Sequence, residues 1–204
     1  MSLPAGVSRP IPATTTLLVL SGGAGRRVGG ADKPLLLWEG RPLIEHVLDR
    51  LQADTAETLV SANRNLDRYE RYGRVLTDVT PGHPGPLAGI SAGLQACTTE
   101  WLLTCPGDMP RLPADLLRRL SQAIEIDGAV CAAAASRTDH GLEPLPALLH
   151  KSLADALSQR LGQAADQERS VRGWLSSIGA AWADYRGAEA LFASLNHLDD
   201  FGHS

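Results

Sequence analysis

The feature that most restricts what this chain can become is a series of short, continuous apolar runs separated by helical patterns. A strand of an antiparallel sheet with one wet face alternates apolar and polar residues, whereas a strand covered on both faces is apolar at every position. Thr16-Leu17-Leu18-Val19-Leu20 is such a run, and the fold is expected to begin at Thr15. Thr58–Val60, Arg74–Thr77, Trp101–Cys105 and Ala129–Ala135 follow as further strands, with a weaker one at Pro146–Leu149. Between them the spacing predicts helices over Pro42–Gln52, Leu87–Ala96 and Pro113–Glu125. In the first of these, Pro42 suits the opening turn and Leu43, Val47, Leu48 and Leu51 share one face.

Strands alternating with helices imply an α/β fold of three layers, a mostly parallel, mixed sheet with helices on both faces. Ligands of such sheets sit at the carboxyl ends of the strands. Beyond residue 150 the pattern weakens: Ser152–Leu161 and Ser170–Ile178 read as helices and Ala181–Tyr185 as a strand, around a polar stretch at Gly162–Arg169. This part is expected to be a smaller lobe folded onto the first, without a core of its own. Residues 1–14, with Pro4, Pro10 and Pro12, read as a flexible leader before a single domain at 15–204.

At 204 residues the chain is long enough for one substantial core. Its 19 Lys and Arg against 23 Asp and Glu leave a net charge of -4, which provides no basic field for nucleic acid. A basic, apolar leader and an 18-residue apolar run are both missing, so a cytoplasmic location is expected. Cys97, Cys105 and Cys131 match no metal-knuckle spacing and read as small buried hydrophobes, and the six histidines form no ligand cluster.

The chemistry concentrates directly after the first strand, in Leu20-Ser21-Gly22-Gly23-Ala24-Gly25-Arg26-Arg27-Val28-Gly29-Gly30-Ala31-Asp32-Lys33. Five glycines between residues 22 and 30 are entropically costly. In return they provide bare backbone whose N–H groups converge on an anion. Arg26, Arg27 and Lys33 add the cationic charge that a triphosphate requires. A Walker A loop is excluded, since no Gly-Lys pair occurs here, and a dinucleotide fingerprint fails at its last glycine, where Val28 stands. Ser21 also lacks the context of a nucleophile elbow. Further on, Asp108 stands among Cys105-Pro106-Gly107-Asp108-Met109-Pro110, just past the fourth strand, where a ligand crevice is expected. The residues alone leave it either a metal-holding carboxylate or a solvated loop acid.

The order Leu-x-Gly-Gly, Arg-x-Gly, Asp-Lys resembles the signature loop of nucleotidyltransferases with the glycosyltransferase-A-like fold, and among them is most similar to the molybdenum cofactor guanylyltransferases of the MobA family. Val28 and Ser21 stand where that family typically has Met and Ala. Ser61-Ala62-Asn63-Arg64 resembles the family's Asn-Ala-Asn-Arg, Asp78 its acid near the base, and Gly85-Pro86-Leu87-Ala88-Gly89 its helix entry. The resemblance implies nucleotide contacts at Leu20, Ser21, Gly22, Gly23, Lys33, Ser61, Asn63, Asp78 and Asp108. It implies catalytic roles for Lys33, Asp108 and Arg27, with magnesium held by Asp108 as cofactor. Glu143-Pro144-Leu145-Pro146-Ala147-Leu148 resembles a strand lining the acceptor site, which assigns 15–135 to the nucleotide and 136–204 to the acceptor. Arg172 is expected to meet the acceptor. Asn196, after Ser194 in a divergent tail element, is either a metal-side contact or a turn former.

The activity so implied transfers GMP from GTP to the phosphate of molybdenum-bound molybdopterin and releases pyrophosphate. A monomer meeting transient protein partners of molybdenum cofactor biosynthesis is expected. A cytidylyltransferase for the same cofactor is the nearest rival, although Leu-x-Gly-Gly accompanies guanine and Leu-x-Ala-Gly cytosine in the family. A sugar-phosphate nucleotidyltransferase is weakened by the missing Pro-Leu-Thr stretch. A nonenzymatic module that binds nucleotide or hands over cofactor is the rival of another class.

Overall fold

The computed structural model describes residues 9–22, 32–77, 85–126, 129–163 and 170–195. Its first strand, β1 (Thr15–Leu20), is buried along nearly its whole length and is the centre of the fold. The chain then forms a hairpin of β2 (Leu37–Trp38) and β3 (Arg41–Pro42), helix α1 (Leu43–Leu51) and strand β4 (Glu57–Ser61). After a short helix α2 (Leu66–Tyr69) come β5 (Arg74–Leu76), α3 (Pro86–Ala96) and β6 (Trp101–Pro106). The remainder comprises α4 (Leu116–Ala123), a ribbon of β7 (Glu125–Ile126) and β8 (Ala129–Val130), the hairpin β9 (Ala133–Thr138) and β10 (Gly141–His150), helices α5 (Ala154–Gln163) and α6 (Val171–Ser177), and β11 (Ala181–Asp184).

Seven strands form one sheet in the order β11-β9-β10-β6-β1-β4-β5. β1 pairs in parallel with β4 on one side and β6 on the other, while β10 runs antiparallel to both its neighbours. The expected mixed, mostly parallel sheet is therefore the one observed. Successive residues of β1 face opposite layers: Leu17 and Val19 pack with Ile44, Val47 and Leu51 of α1 and Leu116 and Leu120 of α4, and Leu18 packs with Leu87, Ile90 and Leu94 of α3. That second layer continues through Leu157 of α5 and Trp174 of α6.

α3 approaches the sheet closely because it carries glycine where it touches. A Cβ on Gly93 would stand 2.5 Å from Leu18 Cδ2, and one on Gly89 would stand 2.6 Å from Ser61 Oγ and 2.9 Å from Leu20 Cδ2. Gly85, just ahead of α3, has φ +148, a conformation that suits glycine.

Three expectations need correction. The helix expected over Pro113–Glu125 is confined to Leu116–Ala123, since Pro113 instead closes a turn by accepting from the Leu116 N–H. The run Ala129–Ala135 is split: its first two residues pair back onto β7, and β9 begins only at Ala133. The weak strand at Pro146–Leu149 is a ten-residue strand, because its prolines sit in a bulge between Glu143 and Ala147 where no ladder N–H is required. β9, β10 and β11 complete the same sheet as β1, so the later part of the chain shares both core layers with the first and has no core of its own, as expected. Residues 9–14 are tied to α4 and its exit, where Ser121 Oγ donates to the Pro10 carbonyl and Arg9 pairs with Glu125 at 2.7 Å. Among the described residues no helix is long and apolar enough to cross a membrane.

Two glycine-to-alanine changes should have opposite signs. Gly93→Ala drives a methyl into Leu18 in a filled core and should cost about 1–3 kcal/mol. Gly162→Ala, in α5 with open space around it, should stabilise by about 0.5–1 kcal/mol. Urea unfolding of the two variants beside the parent measures both.

Candidate functional site

The parallel register of β1, β4 and β6 brings three strand ends to one rim. The Ser21 N–H donates to the Ser61 carbonyl at 2.8 Å, and the Gly107 N–H donates to the Leu20 carbonyl at 3.0 Å. These bonds extend the ladder one step past the strands and set the start of the glycine-rich segment beside the loop that carries Asp108. A Cβ on Gly107 would lie 3.0 Å from Pro34 and 3.2 Å from Ser21 Oγ, so the close approach there suits a residue without a side chain.

Lys33 opens a single 3-10 turn, Lys33–Leu35, whose buried Pro34 and Leu35 anchor it on the core. From that turn the Lys33 ammonium reaches Asp108, Nζ to Oδ2 at 3.5 Å, with about a fifth of each side chain exposed. Burial raises the Asp108 carboxyl above the ordinary aspartate range, and the charge of Lys33 and a hydrogen bond from Ser194 partly offset this. The Leu195 N–H also donates to the Asp108 carbonyl at 3.2 Å, which lays residues 194–195 across the site.

Most of the sequence-predicted nucleotide contacts gather on this rim. Leu20, Ser21, Gly22, Lys33, Ser61 and Asp108 lie there, and Asn63 follows two residues after the end of β4 with its side chain exposed. Ser61 is 5% exposed and its hydroxyl faces α3 at Gly89, away from open solvent. Gly23, Arg27, Asp78 and Asn196 lie outside the described residues, as does Arg26.

Arg172 belongs to a neighbouring feature of the same rim. β10 pairs with β6 only over Ala147–His150, whereas Gly141–Glu143 pairs with Thr138–Ser136 of β9, past the end of the β6 partnership. This ledge, bordered by β11 through the pairing of Ala183 and Asp184 with Ser136 and Arg137, is met by Arg172, whose Nη2 donates to the Leu142 carbonyl at 2.6 Å from the first turn of α6. Ser170 caps that helix by accepting from the Gly173 N–H.

A sequence profile for the MobA-like NTP transferase domain matches residues 17–181, from β1 to the start of β11. The chain belongs to the MobA-like NTP transferase family. Its curated relatives include proteins named molybdenum cofactor guanylyltransferase from Cupriavidus pinatubonensis, 41% identical over 189 residues that cover 91% of this chain and 93% of the relative. Another with that name, from Burkholderia ambifaria, is 42% identical over 191 residues, covering 90% of this chain and 91% of the relative. Among solved structures, the molybdopterin-guanine dinucleotide biosynthesis protein A of Archaeoglobus fulgidus superposes with TM-score 0.68 at 26% identity, covering 91% and 94% of the two chains. A nucleotidyl transferase from Methanothermobacter thermautotroptrophicus shares the fold at TM-score 0.70 and 18% identity, over 92% and 94% of the chains.

In this MobA-like NTP transferase, the sequence reading missed a buried polar cluster behind Lys33. Asp32 accepts a hydrogen bond from Asn65 Nδ2 at 3.0 Å and pairs with Arg64 Nε at 3.7 Å. Asp32 lies inside the recognised motif, but its partners are a turn residue and the last residue of an Asn-Arg pair, for which no spacing rule exists. Gly89 and Gly93 were also missed as packing positions, although their four-residue spacing on one helix face was visible. Cys97 and Cys105 fit the reading of buried hydrophobes, whereas Cys131 is only partly buried. All three are free, Cys97 and Cys105 are buried, and burial alone pushes the Cys105 thiol far up, so it stays uncharged beside the site.

An acid whose folded pKa is raised binds protons that the unfolded chain has released, so its presence costs stability progressively as pH rises from the ordinary aspartate range through the raised value. Asp108→Asn is therefore expected to unfold at the same or a higher temperature than the parent at neutral pH. The difference should shrink as pH falls below about 4. Thermal melts of both proteins between those limits test the sign.

Proposed function

We propose that the protein transfers GMP from GTP to the phosphate of molybdopterin carrying molybdenum, forming the guanine dinucleotide cofactor and releasing pyrophosphate. The observation that carries this reading is the pairing of Lys33 with a mostly buried Asp108 on the strand rim of a chain belonging to the MobA-like NTP transferase family. The reaction requires an acceptor phosphate oxygen to attack the α-phosphorus in line with the departing pyrophosphate. Two anions must meet, so catalysis is mainly positioning and charge neutralisation.

The chain's own groups can be assigned accordingly. The bare backbone of Gly22 and of the glycines that follow it in sequence is assigned to the polyphosphate, the Ser21 N–H being bonded to the Ser61 carbonyl, and Lys33 is assigned a compact positive charge on the polyphosphate oxygens. Arg27 adds a second cation to the same anion. Asn63, exposed just past β4, is assigned to the nucleoside, together with the backbone at Ser61 and with Asp78, which lies outside the described residues. Arg172, bonded to the ledge formed by β9 and β10, is assigned to the acceptor, as is Asn196, which lies outside the described residues.

A hard divalent cation fits an oxygen donor such as the Asp108 carboxylate, which would hold it with substrate phosphates supplying further oxygen ligands. Magnesium bound there supplies charge neutralisation on the reacting phosphates. Asp108 holds it through its ionised form, and Lys33 helps keep that form populated despite burial. We propose magnesium as the resident ion, GTP and a molybdopterin-type acceptor as substrates, a cytoplasmic monomer as the working form, and transient contact with other proteins of molybdenum cofactor assembly.

Lys33→Ala should lower turnover by on the order of 10² to 10³, as loss of one charge-stabilising donor does. Pyrophosphate release in the presence of GTP, magnesium and molybdopterin measures it, and unchanged turnover would remove Lys33 from the mechanism. Asp108→Ala should abolish magnesium-dependent product formation. Because burial raises the Asp108 carboxyl, the parent's magnesium requirement should rise on the acid side at a pH above the ordinary aspartate range. A titration of activity against magnesium from pH 5 to 8 reads this. Calorimetry with GTP and CTP separates guanine from cytosine preference, with GTP expected to bind more tightly.

A further inference from the structure

The residues assigned above leave unexplained why the chain buries a second carboxylate directly behind Lys33. Asp32 has 4% of its side chain exposed. Taking such a group out of water is costly unless donors replace the lost hydration. Two are in place: Asn65 Nδ2 donates to Oδ2 at 3.0 Å, and the Arg64 guanidinium pairs with the same oxygen at 3.7 Å. The fully buried Tyr69 stands beside them, and its phenol is pushed up first by burial and then by the neighbouring Asp32 charge.

What these contacts join is more informative than their number. Ser21, at one end of the glycine-rich segment, is bonded through its N–H to the Ser61 carbonyl, at the end of β4. Asp32, at the other end, is bonded to Asn65 and Arg64, in the turn that leaves β4. Both ends of the segment are thus moored to the same strand exit. Asn65 holds φ +51, a left-handed conformation that asparagine tolerates better than most residues, and from it the amide is directed at Asp32. The next residue along the chain, Lys33, is the one that reaches Asp108.

We propose that Asp32 is a positioning residue: moored by Asn65 and Arg64, it fixes the backbone from which Lys33 presents its charge to the polyphosphate. This inference rests on the proposed transferase reading, in which Lys33 is the group that acts. Asp32 touches no reacting atom, and its whole effect passes through Lys33.

The test is a double-mutant cycle on the full chain, measuring kcat for pyrophosphate release and the dissociation constant for GTP. Asp32→Asn should lower kcat about tenfold with GTP affinity changed less than about threefold, and in a Lys33→Ala background it should lower kcat no further. Asn65→Gly keeps the positive φ while deleting the amide, and should give the same pattern at about threefold. That second variant decides the matter if Asp32→Asn fails to fold. Losses that multiply with that of Lys33→Ala, or no loss at all, overturn the positioning role and leave the transferase reading standing. A Lys33→Ala protein with parental turnover overturns both.

Discussion

Everything functional in this molecule depends on β1 being clamped in parallel between β4 and β6. Parallel pairing sends three chains to the same rim, and the ladder does not stop where the strands do: Ser21 and Gly107 each make one more main-chain bond, to Ser61 and Leu20. Those two bonds set the distance between the glycine-rich segment and the Asp108 loop. A shift of one residue in either pairing would exchange the faces of β1 and place Leu17 and Val19 against α3. The nucleotide rim and the hydrophobic core are therefore specified by the same register.

Electrostatics at the rim is arranged as a balance. Asp108 is buried enough to resist ionisation, Lys33 stands close enough to favour it, and Ser194 adds a hydrogen bond from the far end of the chain. Burial disfavours the charged form of a carboxylate and a neighbouring ammonium favours it, and at Asp108 the two act together with burial the larger. The intermediate condition suits the role proposed above for Asp108, a carboxylate that takes up a divalent cation together with a highly charged substrate. Deep burial is kept for Asp32, whose partners are fixed protein donors.

Much of the first half of the fold was legible because parallel strands covered on both faces have no alternative to continuous apolarity. β1, β4, β5 and β6 each lie within two residues of the expected bounds. β10 was harder, since Pro144 and Pro146 argue against a strand unless a bulge excuses them from the ladder, and only the fold shows that bulge. Likewise Ala129–Ala135 reads as one run, because alanine favours neither the break after Val130 nor the return of Ala129 onto Ile126. Of the site, Lys33 and Asp108 were visible from motif and position. Their separation of 75 residues gave no sign that they meet, and the mooring of Asp32 to Asn65 is a tertiary event that periodicity cannot encode.

The ledge made by Gly141–Glu143 with Thr138–Ser136 leans outward from a strand whose other half is locked into β6. Its turn at Asp139 and His140 lies beyond every pairing that holds β1 in place. Asp139 ties that turn to the segment after β11, its N–H donating to the Glu189 carboxylate at 2.9 Å and its own carboxylate accepting from the Gly187 N–H at 3.1 Å. One half of β10 is thus fixed by β6 at the centre of the sheet and the other by β9 and Arg172 at its margin, so the two ends of a single strand answer to different neighbours.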